Sequence, residues 1–253
     1  MLCADRSGSE TANIDWKHAE ADNVQFNHNM ENKIKIRIKF KKYGDMKFIG
    51  HLDVMRYFQK LLRRAKIDCA YSEGFNPHQI MSFANPLGVG IESEAEYMDL
   101  TLNSITTCED IRDRLNAQNA KGFEISEVAV LPEGTGKAMA TIDAADYKVV
   151  FHDPDKAVFI DDDCAAFLSQ DKIEIIKKTK KGEKTMNLKE GIHEFHKNPD
   201  NSVFMKVSAG SRLNIRPEQV MGAFFEYKGI DPESLPYGIV RLEQYDEEGK
   251  TLI

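Results

Sequence analysis

The segment from Tyr71 to Glu94 concentrates the residue types that often build a binding site. Its sequence, YSEGFNPHQIMSFANPLGVGIESE, combines three glycines and two prolines with two asparagines, a histidine and several carboxylates. Glycine and proline turn the backbone sharply, so polar side chains of such a segment converge on a small region. The Asn-Pro steps and the glycines also suit plain turns and a bulge. A binding site and a structural scaffold therefore both fit this pattern.

Two histidines, His51 and His78, are candidates for acid–base chemistry. His51 opens a predicted helix, and a helix N-terminus favours anions such as phosphate. It equally suits a cap satisfied by the backbone, with Asp53 stabilising the positive end of the helix. His78 follows a proline in a turn, which favours an exposed ring. Neither histidine is assigned a catalytic role from the sequence.

The helix that His51 opens lies in a strongly basic part of an acidic chain. Residues 33–66 contain twelve lysines and arginines and two acidic residues, whereas the whole protein has a net charge of −7. Arg56, Arg63 and Arg64 fall outside the apolar face of this helix, where a guanidinium can form forked hydrogen bonds to phosphate. A solvated strand and helix face is the alternative interpretation.

These patterns define the residues that we expect to contact RNA or another substrate. They are Arg56, Arg63, Arg64, Tyr71, Glu73, Phe75, Asn76, His78 and Asn85. The rings of Tyr71, Phe75 and Phe83 suit stacking on single-stranded bases, and they equally suit a hydrophobic core.

The cysteines and histidines do not have the spacing of a metal or cluster site. The four cysteines lie far apart, at Cys3, Cys69, Cys108 and Cys164. That spacing excludes a CxxC knuckle and a three-cysteine iron–sulfur motif, and we expect reduced thiols. His193 and His196 stand three residues apart without a clear third ligand. We therefore expect neither a metal nor a cofactor.

Periodicity in the first half predicts the order βαββαβ. Isoleucines alternate with basic residues from Lys33 to Phe40, which predicts a half-buried strand. The segment His51–Ala65 places five apolar residues on one predicted helical face: Leu52, Met55, Phe58, Leu61 and Leu62. Strands are also predicted at 81–83, 97–102 and 123–131, with 88–91 extended and a helix at 108–118.

The order repeats after a glycine-containing break near residues 132–137. Strands are predicted at 147–151, 173–178, 185–188, 203–207 and 238–245, and helices at 165–168 and 216–227. Pro217 opens the last helix at a favoured early position. The predicted fold class is α+β, with two tandem ferredoxin-like units at residues 31–133 and 138–253, each an antiparallel sheet backed by helices.

The stretch FIGHLDVMRYFQKLLRRAKIDCAYSEGFNPHQIMSFANPLGVGIESEAEYMDLTL, Phe48–Leu102, resembles the signature core of the radical-SAM-associated (radical-SAM-linked) family. The resemblance covers about Ile34–Leu131, and GSRLNIRPEQVM, Gly210–Met221, is similar to the C-terminal half of that family. It implies a domain of uncharacterised function, found alone or fused to a radical SAM module, with neighbours concerned with ribosomes or RNA. It implies a partner class and no catalytic residues.

Three functions follow as expectations. The first is a non-catalytic accessory protein that works with a radical SAM enzyme and binds RNA or a ribonucleoprotein; the cysteine spacing means that this chain is not that enzyme itself. The second is an RNA-processing or RNA-modifying enzyme that uses His51 or His78 as acid or base, since the predicted fold is similar to that of CRISPR repeat-processing endonucleases. The third is a structural adaptor that binds only protein.

The first thirty residues have little periodicity and no signal-peptide layout. We expect this segment to be disordered, and Met30 raises the hypothesis that residues 1–29 do not belong to the native protein. No stretch approaches the roughly 20 apolar residues that a membrane span needs. We expect a cytoplasmic protein without membrane partners.

Overall fold

The computed structural model of the chain describes residues 33–157, 161–179 and 182–253, and it describes only the backbone of residues 161, 178 and 179. The predicted disorder of residues 1–30 lies outside these ranges. Residues 34–253 form one unit by their contacts. None of the described helices is both long and apolar enough to cross a membrane.

The described residues form ten strands and five α-helices. The strands are β1 Ile34–Lys42, β2 Met81–Phe83, β3 Glu92–Leu102, β4 Phe123–Val130, β5 Ile142–Phe151, β6 Glu174–Thr179, β7 Gly182–Asn187, β8 Ile192–Lys197, β9 Val203–Ser208 and β10 Tyr237–Asp246. The helices are α1 His51–Arg64, α2 Cys108–Ala117, α3 Ala138–Thr141, α4 Asp161–Leu168 and α5 Pro217–Lys228.

Eight of these strands belong to one large, mostly antiparallel sheet. Its order is β4-β1-β3-β10-β5-β9-β8, with β2 paired to β3, while β6 and β7 form a separate hairpin. The short pairing of β3 with β10 is parallel. The prediction of a mixed α+β protein is confirmed. Two separate ferredoxin-like units are not confirmed, since strands of both halves share one sheet, and the domain boundary at residues 133–138 stays a prediction.

Two hydrophobic cores lie along the sheet. One is built by β1, β3, β4, α1 and α2, with residues such as Ile36, Phe58 and Leu100. The other is built mainly by the second half, around Val149 and Phe224. Residues of the first half, among them those at 84, 91 and 95, also pack into this second core. The segment 84–97 therefore belongs structurally to both halves of the chain.

Helix α1 is amphipathic as predicted, but the prediction that Leu52 belongs to its apolar face is wrong. Val54, Phe58 and Leu61 are buried, whereas Leu52 is 60% exposed. A helix turns by roughly 100° per residue, so Leu52 lies roughly 120° around the axis from Phe58, and Val54 only about 40°. Val54 therefore occupies the face on which Leu52 was expected.

Several element boundaries differ from the predictions. Residues 88–91 are not a strand, because a turn at Val89–Gly90, where Gly90 has a φ of 92°, precedes β3. Strand β5 begins five residues before the predicted start, at Ile142, and α4 begins at Asp161 instead of residue 165. The HEFH segment forms β8, for which no strand was predicted. The sequence of β8 does not alternate between apolar and polar residues, because β8 is an edge strand in which only Ile192 and Phe195 are buried.

Candidate functional site

A cavity of about 230 Å³ lies where residues 85–88 meet residues 214–218. Ile91, Tyr147 of β5 and Arg241 of β10 complete its lining, and we name it the Arg241 cavity. The side-chain nitrogen of Asn85 donates to the carbonyl oxygen of Ala209, 124 residues later, at 3.2 Å. The cavity thus joins the turn-rich segment to the GSRLNIRPEQVM stretch, which are the two most informative parts of the sequence.

The guanidinium of Arg241 is held by buried partners. Arg241 is 1% exposed, and its Nε donates to Oε1 of Glu96 at 2.9 Å. A terminal nitrogen donates to the same oxygen and, at 2.8 Å, to the carbonyl oxygen of Asn85. Burying a charge requires a hydrogen-bonded partner, so this pair fixes the guanidinium in one place. Burial also raises the pKa of Tyr147, whose hydroxyl therefore stays protonated.

The mouth of the cavity is formed by the chain that leads into α5. Ile215 donates from its backbone N–H to the carbonyl oxygen of Ser208 at 2.9 Å, which ties this chain to β9. Pro217 opens the helix, and the side chain of Gln219 accepts from the backbone N–H of Arg216 at 3.0 Å. Arg216 and its neighbours Asn214 and Glu218 remain exposed at the mouth.

Gly210 permits the close approach that brings this chain to the sheet. A Cβ at this position would lie 2.5 Å from the carbonyl oxygen of Ile142 at the start of β5. That distance is far below van der Waals contact, and the obstructing atom belongs to the backbone, which cannot easily move. The glycine of the GSRLN sequence is therefore required by packing at this point.

The lining of the Arg241 cavity offers both donors and acceptors. Arg216 and Arg241 supply positive charge, Glu218 supplies a carboxylate, and the asparagine amides supply both kinds of group. The cavity is smaller than the roughly 300–1,000 Å³ typical of sites for drug-sized ligands. Its chemistry and size suit one polar group of a larger molecule.

A second, much smaller cavity of about 20 Å³ places His51 near this site. Pro86 and Leu87 line both cavities, and Glu96, the partner of Arg241, lines the small one. The His51 ring packs edge-on against Phe83 with 5.3 Å between centroids. Lys42 also lines this cavity, and its Nζ donates to a backbone carbonyl oxygen at 3.0 Å. Burial lowers the pKa of Lys42. The two cavities therefore share Pro86 and Leu87 in their linings, and His51 lines only the smaller one.

His78 lies in a different environment, on an exposed loop. The Ser72 hydroxyl oxygen accepts from the backbone N–H of His78 at 3.1 Å and lies 2.8 Å from its Nδ1. This pair closes a loop whose tip carries the fully exposed ring of Phe75. The predicted contacts Tyr71, Glu73 and Asn76 lie on the same loop, and none of its residues lines the Arg241 cavity. The two candidate histidines therefore do not belong to one site.

The three predicted arginines of α1 are spread along its exposed side. Arg56 pairs with Asp53 at 3.2 Å, and Arg63 donates to the carbonyl oxygen of Gln59 at 3.1 Å. Arg64 donates to a carbonyl oxygen of the loop after α2 at 3.2 Å. Their side chains line none of the cavities around the Arg241 site. Their role as phosphate contacts stays a prediction.

Four of the twelve bases of residues 33–66 are paired with acids of the large sheet. The ion pairs are Arg37–Asp99 at 2.7 Å, Lys39–Glu243 at 2.6 Å, Lys41–Glu94 at 3.0 Å and Lys47–Glu92 at 3.1 Å. Arg37 is even buried, at 4% exposure. The run of bases in the sequence therefore does not become an equally strong positive surface.

The two histidines considered as metal ligands have other partners. Nε2 of His193 lies 3.0 Å from the hydroxyl of Ser208, and the ring of His196 stacks on Phe204. In the described part of the chain, no three His, Cys, Asp or Glu side chains are placed to hold a metal ion. The described cysteines, at 69, 108 and 164, form no disulfide.

Of the residues predicted from the sequence, Asn85 lines the Arg241 cavity. Sequence reasoning missed Arg241, Glu96, Tyr147 and Arg216. A usable signal existed for the first two, because a charged residue in the apolar phase of a strand is unusual. Arg241 shares its phase with the buried Ile239, and Glu96 shares its phase with Met98 and Leu100, which are also buried.

Comparison with known proteins places the chain in a family. No curated protein matches it. Among solved structures it is similar to a crystal structure of an unknown protein from Galdieria sulphuraria, with 15% identity over 83% of this chain and 99% of that chain and a TM-score of 0.24. Nothing about this chain follows from so low a score. Residues 35–217, well over half of the chain, match a family described as an uncharacterized protein conserved in bacteria (DUF2344). The chain belongs to this family.

Proposed function

We propose that this chain is a non-catalytic recognition protein that captures one unpaired nucleotide of an RNA in the Arg241 cavity. A radical SAM enzyme is the proposed partner that modifies the captured RNA. The observation that carries the proposal is the cavity itself, whose lining includes a fixed guanidinium and the side-chain amides of Asn85 and Asn214.

The chemistry of the lining supports a nucleotide as the bound group. Sequence-specific proteins bind unpaired bases through hydrogen bonds to the base edges, which carry both donors and acceptors. Asn85 and Asn214 offer amides of matching character, and Arg216 at the mouth can meet a phosphate. A cavity of about 230 Å³ suits one such group better than a whole cofactor.

The exposed loop 71–78 supports a second contact with the same RNA. Phe75 is fully exposed at the tip, and Tyr71 is half exposed on the same loop. Stacking of a base on an aromatic ring contributes about 1–3 kcal/mol and accepts any base. This contact adds affinity, whereas the cavity selects the nucleotide.

The partner and the cellular location rest on the resemblance described for Phe48–Leu102 and Gly210–Met221. The two stretches include both segments that meet at the Arg241 cavity. A cavity without assigned catalytic chemistry is what an accessory protein needs when another enzyme performs the reaction. We therefore propose a cytoplasmic complex of this chain, its RNA and the radical SAM enzyme.

We also infer that each half of the chain is a ferredoxin-like unit. Strand order supports this inference, since the first half runs β4-β1-β3-β2 and the second half runs β10-β5-β9-β8. In each half, the first of the four strands along the chain lies beside the third: β1 lies beside β3, and β5 lies beside β9. This is the arrangement of a split βαβ unit. The β6–β7 hairpin is then an insertion in the second unit.

The test is a titration of the protein against short, fluorescently labelled single-stranded RNA of mixed sequence, followed by anisotropy. Arg216→Ala and Asn85→Ala each remove one contact with the RNA, and we expect affinity to fall about tenfold in each. Lys250→Ala is the matched control, because Lys250 is exposed, pairs with Glu248 and does not line the cavity.

Two results would overturn the proposal. Absence of RNA binding by the wild-type protein would favour a protein-only adaptor, to be checked by salt-insensitive association with the radical SAM enzyme. Wild-type affinity in both cavity variants, together with loss in Arg63→Ala/Arg64→Ala, would move the RNA site to α1. A salt series separates these cases. For single strands, each neutralised phosphate adds about −0.7 to the slope of the logarithm of the binding constant against the logarithm of the salt concentration.

A further inference from the structure

A separate cavity of about 170 Å³ lies between β2, β3 and the segment 131–137 that follows β4. It shares no lining residue with the Arg241 cavity. It lies at the start of the connection between the two halves, so a ligand bound there would not occupy the RNA site proposed above.

The interior of this cavity is largely apolar. Ile80, directly before β2, and Leu131, in the connecting segment, supply apolar side chains to its lining. Met81 and Leu100 also line it, but their side chains pack into the first hydrophobic core. Removing apolar surface of a ligand from water against such a lining is favourable by roughly 25 cal/mol per Å². The cavity therefore provides binding free energy for a hydrophobic group.

The charged residues of the lining give it a positive character. Lys35 and Lys137 line the cavity and are both exposed. Asp99 also lines it, but both of its oxygens have partners. Oδ1 pairs with Arg37 at 2.7 Å, and Oδ2 accepts from the backbone N–H of Ala138 at 2.8 Å. The carboxylate is offset by Arg37, so the two ammonium groups remain to meet an anion.

The wall formed by residues 131–137 is held in place by hydrogen bonds. Arg37 donates to the carbonyl oxygen of Gly136 at 3.2 Å, and Leu131 donates to the carbonyl oxygen of Lys35 at 2.8 Å. The Thr135 hydroxyl donates to the carbonyl oxygen of Pro132 at 2.7 Å. A wall fixed in this way does not have to be ordered by the ligand, which lowers the entropic cost of binding.

We propose that this cavity binds a small carboxylate with an apolar body, such as an aromatic or branched aliphatic acid. The apolar body lies against Ile80 and Leu131, and the carboxylate lies between the ammonium groups of Lys35 and Lys137. A single ring or a short chain matches the volume. A cationic analogue of the same size would meet two like charges and is excluded.

The experiment is an NMR titration of the full-length, ¹⁵N-labelled protein with 3-phenylpropanoate and, in parallel, with 3-phenylpropylamine. We expect the carboxylate to shift the amide signals of residues 80–82, 99–101 and 135–137, and the amine to leave them unchanged. Lys35→Ala/Lys137→Ala should weaken binding of the carboxylate roughly 5- to 10-fold, because each exposed charge pair contributes modestly. Lys137→Arg, which keeps the charge, should retain wild-type affinity.

Ser82→Phe gives a second variant, in which a ring occupies the cavity from β2. We expect it to abolish binding of 3-phenylpropanoate while RNA binding stays at the wild-type level, which separates this proposal from the proposed function. Equal binding of the amine and the carboxylate would overturn the proposal. So would unchanged affinity in the double lysine variant, or shifts confined to other parts of the protein.

Discussion

Arg241 of β10 and Glu96 of β3 form a buried ion pair between the two halves of the chain, with Nε of Arg241 2.9 Å from Oε1 of Glu96. The pair lies beside the only parallel pairing among the described strands of the large sheet, where Arg241 is opposite Ser93. The same guanidinium lines the candidate site. Stability of the fold and geometry of the site therefore depend on one interaction.

We expect Arg241→Met to lower the free energy of unfolding by about 3–5 kcal/mol, because it leaves the Glu96 carboxylate buried without its partner. The double variant Arg241→Met/Glu96→Met should recover much of that loss, since replacing both charges removes the unpaired group. Urea denaturation of the wild type, the single variants Arg241→Met and Glu96→Met, and the double variant measures this. Additive losses in the double variant would contradict the proposed coupling.

Gly210→Ala should be strongly destabilising, because the new Cβ would lie 2.5 Å from the carbonyl oxygen of Ile142. Gly222→Ala is the matched control, since Gly222 is an exposed position within α5 with no atom within 4 Å of a new Cβ. We expect the control to gain about 0.5–1 kcal/mol from helix propensity. Thermal denaturation distinguishes the two, and an equal effect of both substitutions would contradict the close packing of Gly210.

The unfolding free energy should depend on pH through Asp146. Burial raises the pKa of this carboxyl, to which the Tyr245 hydroxyl donates at 2.7 Å, while Lys206 lowers that pKa and Glu194 and Glu243 raise it. The folded state then holds a proton that the unfolded state has lost. Its contribution to stability is present below the unfolded pKa of roughly 4 and is lost as pH rises through the folded pKa.

Asp146→Asn removes this titration, so its stability relative to the wild type should rise between pH 4 and pH 7. Asp200→Asn provides the opposite case, because a hydrogen bond from Lys148 lowers the pKa of Asp200. The unfolding free energy of Asp200→Asn should be lower than that of the wild type at neutral pH, and this difference should shrink as pH falls. Urea denaturation between pH 4 and pH 7 measures the direction of both pH dependences. If the unfolding free energies of Asp146→Asn and the wild type change in parallel with pH, the prediction for Asp146 is refuted.

The cysteines should react with a thiol reagent in the order of their exposure. Cys69 is buried, and burial raises its pKa to about 11, whereas Cys108 is only partly buried. In a Cys3→Ser background at pH 7.5, we expect Cys108 to be alkylated first and Cys69 only when the protein unfolds, because the thiolate is the reactive form. Mass spectrometry after timed alkylation identifies each site. Early modification of Cys69 would show that its surroundings open readily.

Phe75→Ala separates stability from recognition. The ring is fully exposed, so we expect the unfolding free energy to change by less than about 0.5 kcal/mol. The affinity for single-stranded RNA should fall by about 1 kcal/mol or more if a base stacks on this ring. Anisotropy titration gives the second quantity, and wild-type affinity would remove the loop from the proposed RNA contact.

Local patterns predicted most of the elements. Alternating isoleucines indicated β1, and the spacing of Phe58 and Leu61 indicated α1, because burial of one face imposes a period that the sequence displays. The missed β8 has only two buried residues, and the early part of β5 contains alanines, which carry little strand signal.

The candidate site was less predictable than the elements. Asn85 was identified because it lies in a segment rich in turn residues. The pairing of Arg241 with Glu96 spans 145 residues, and no local pattern specifies a partner at that separation. The basic run of residues 33–66 was misleading for the same reason, since its counter-charges, such as Asp99 and Glu243, lie elsewhere in the chain.

The position of β10 has a consequence for folding. This late strand lies in the interior of the large sheet, between β3 and β5, instead of at an edge. During synthesis, β1, β3 and β4 can pair early, whereas β3 and β5 lack their common neighbour until residues 237–246 have left the ribosome. Unpaired strand edges are prone to association with other chains. A nascent chain stalled before Tyr237 would therefore expose unpaired strand edges at the centre of its sheet and become a substrate for chaperones.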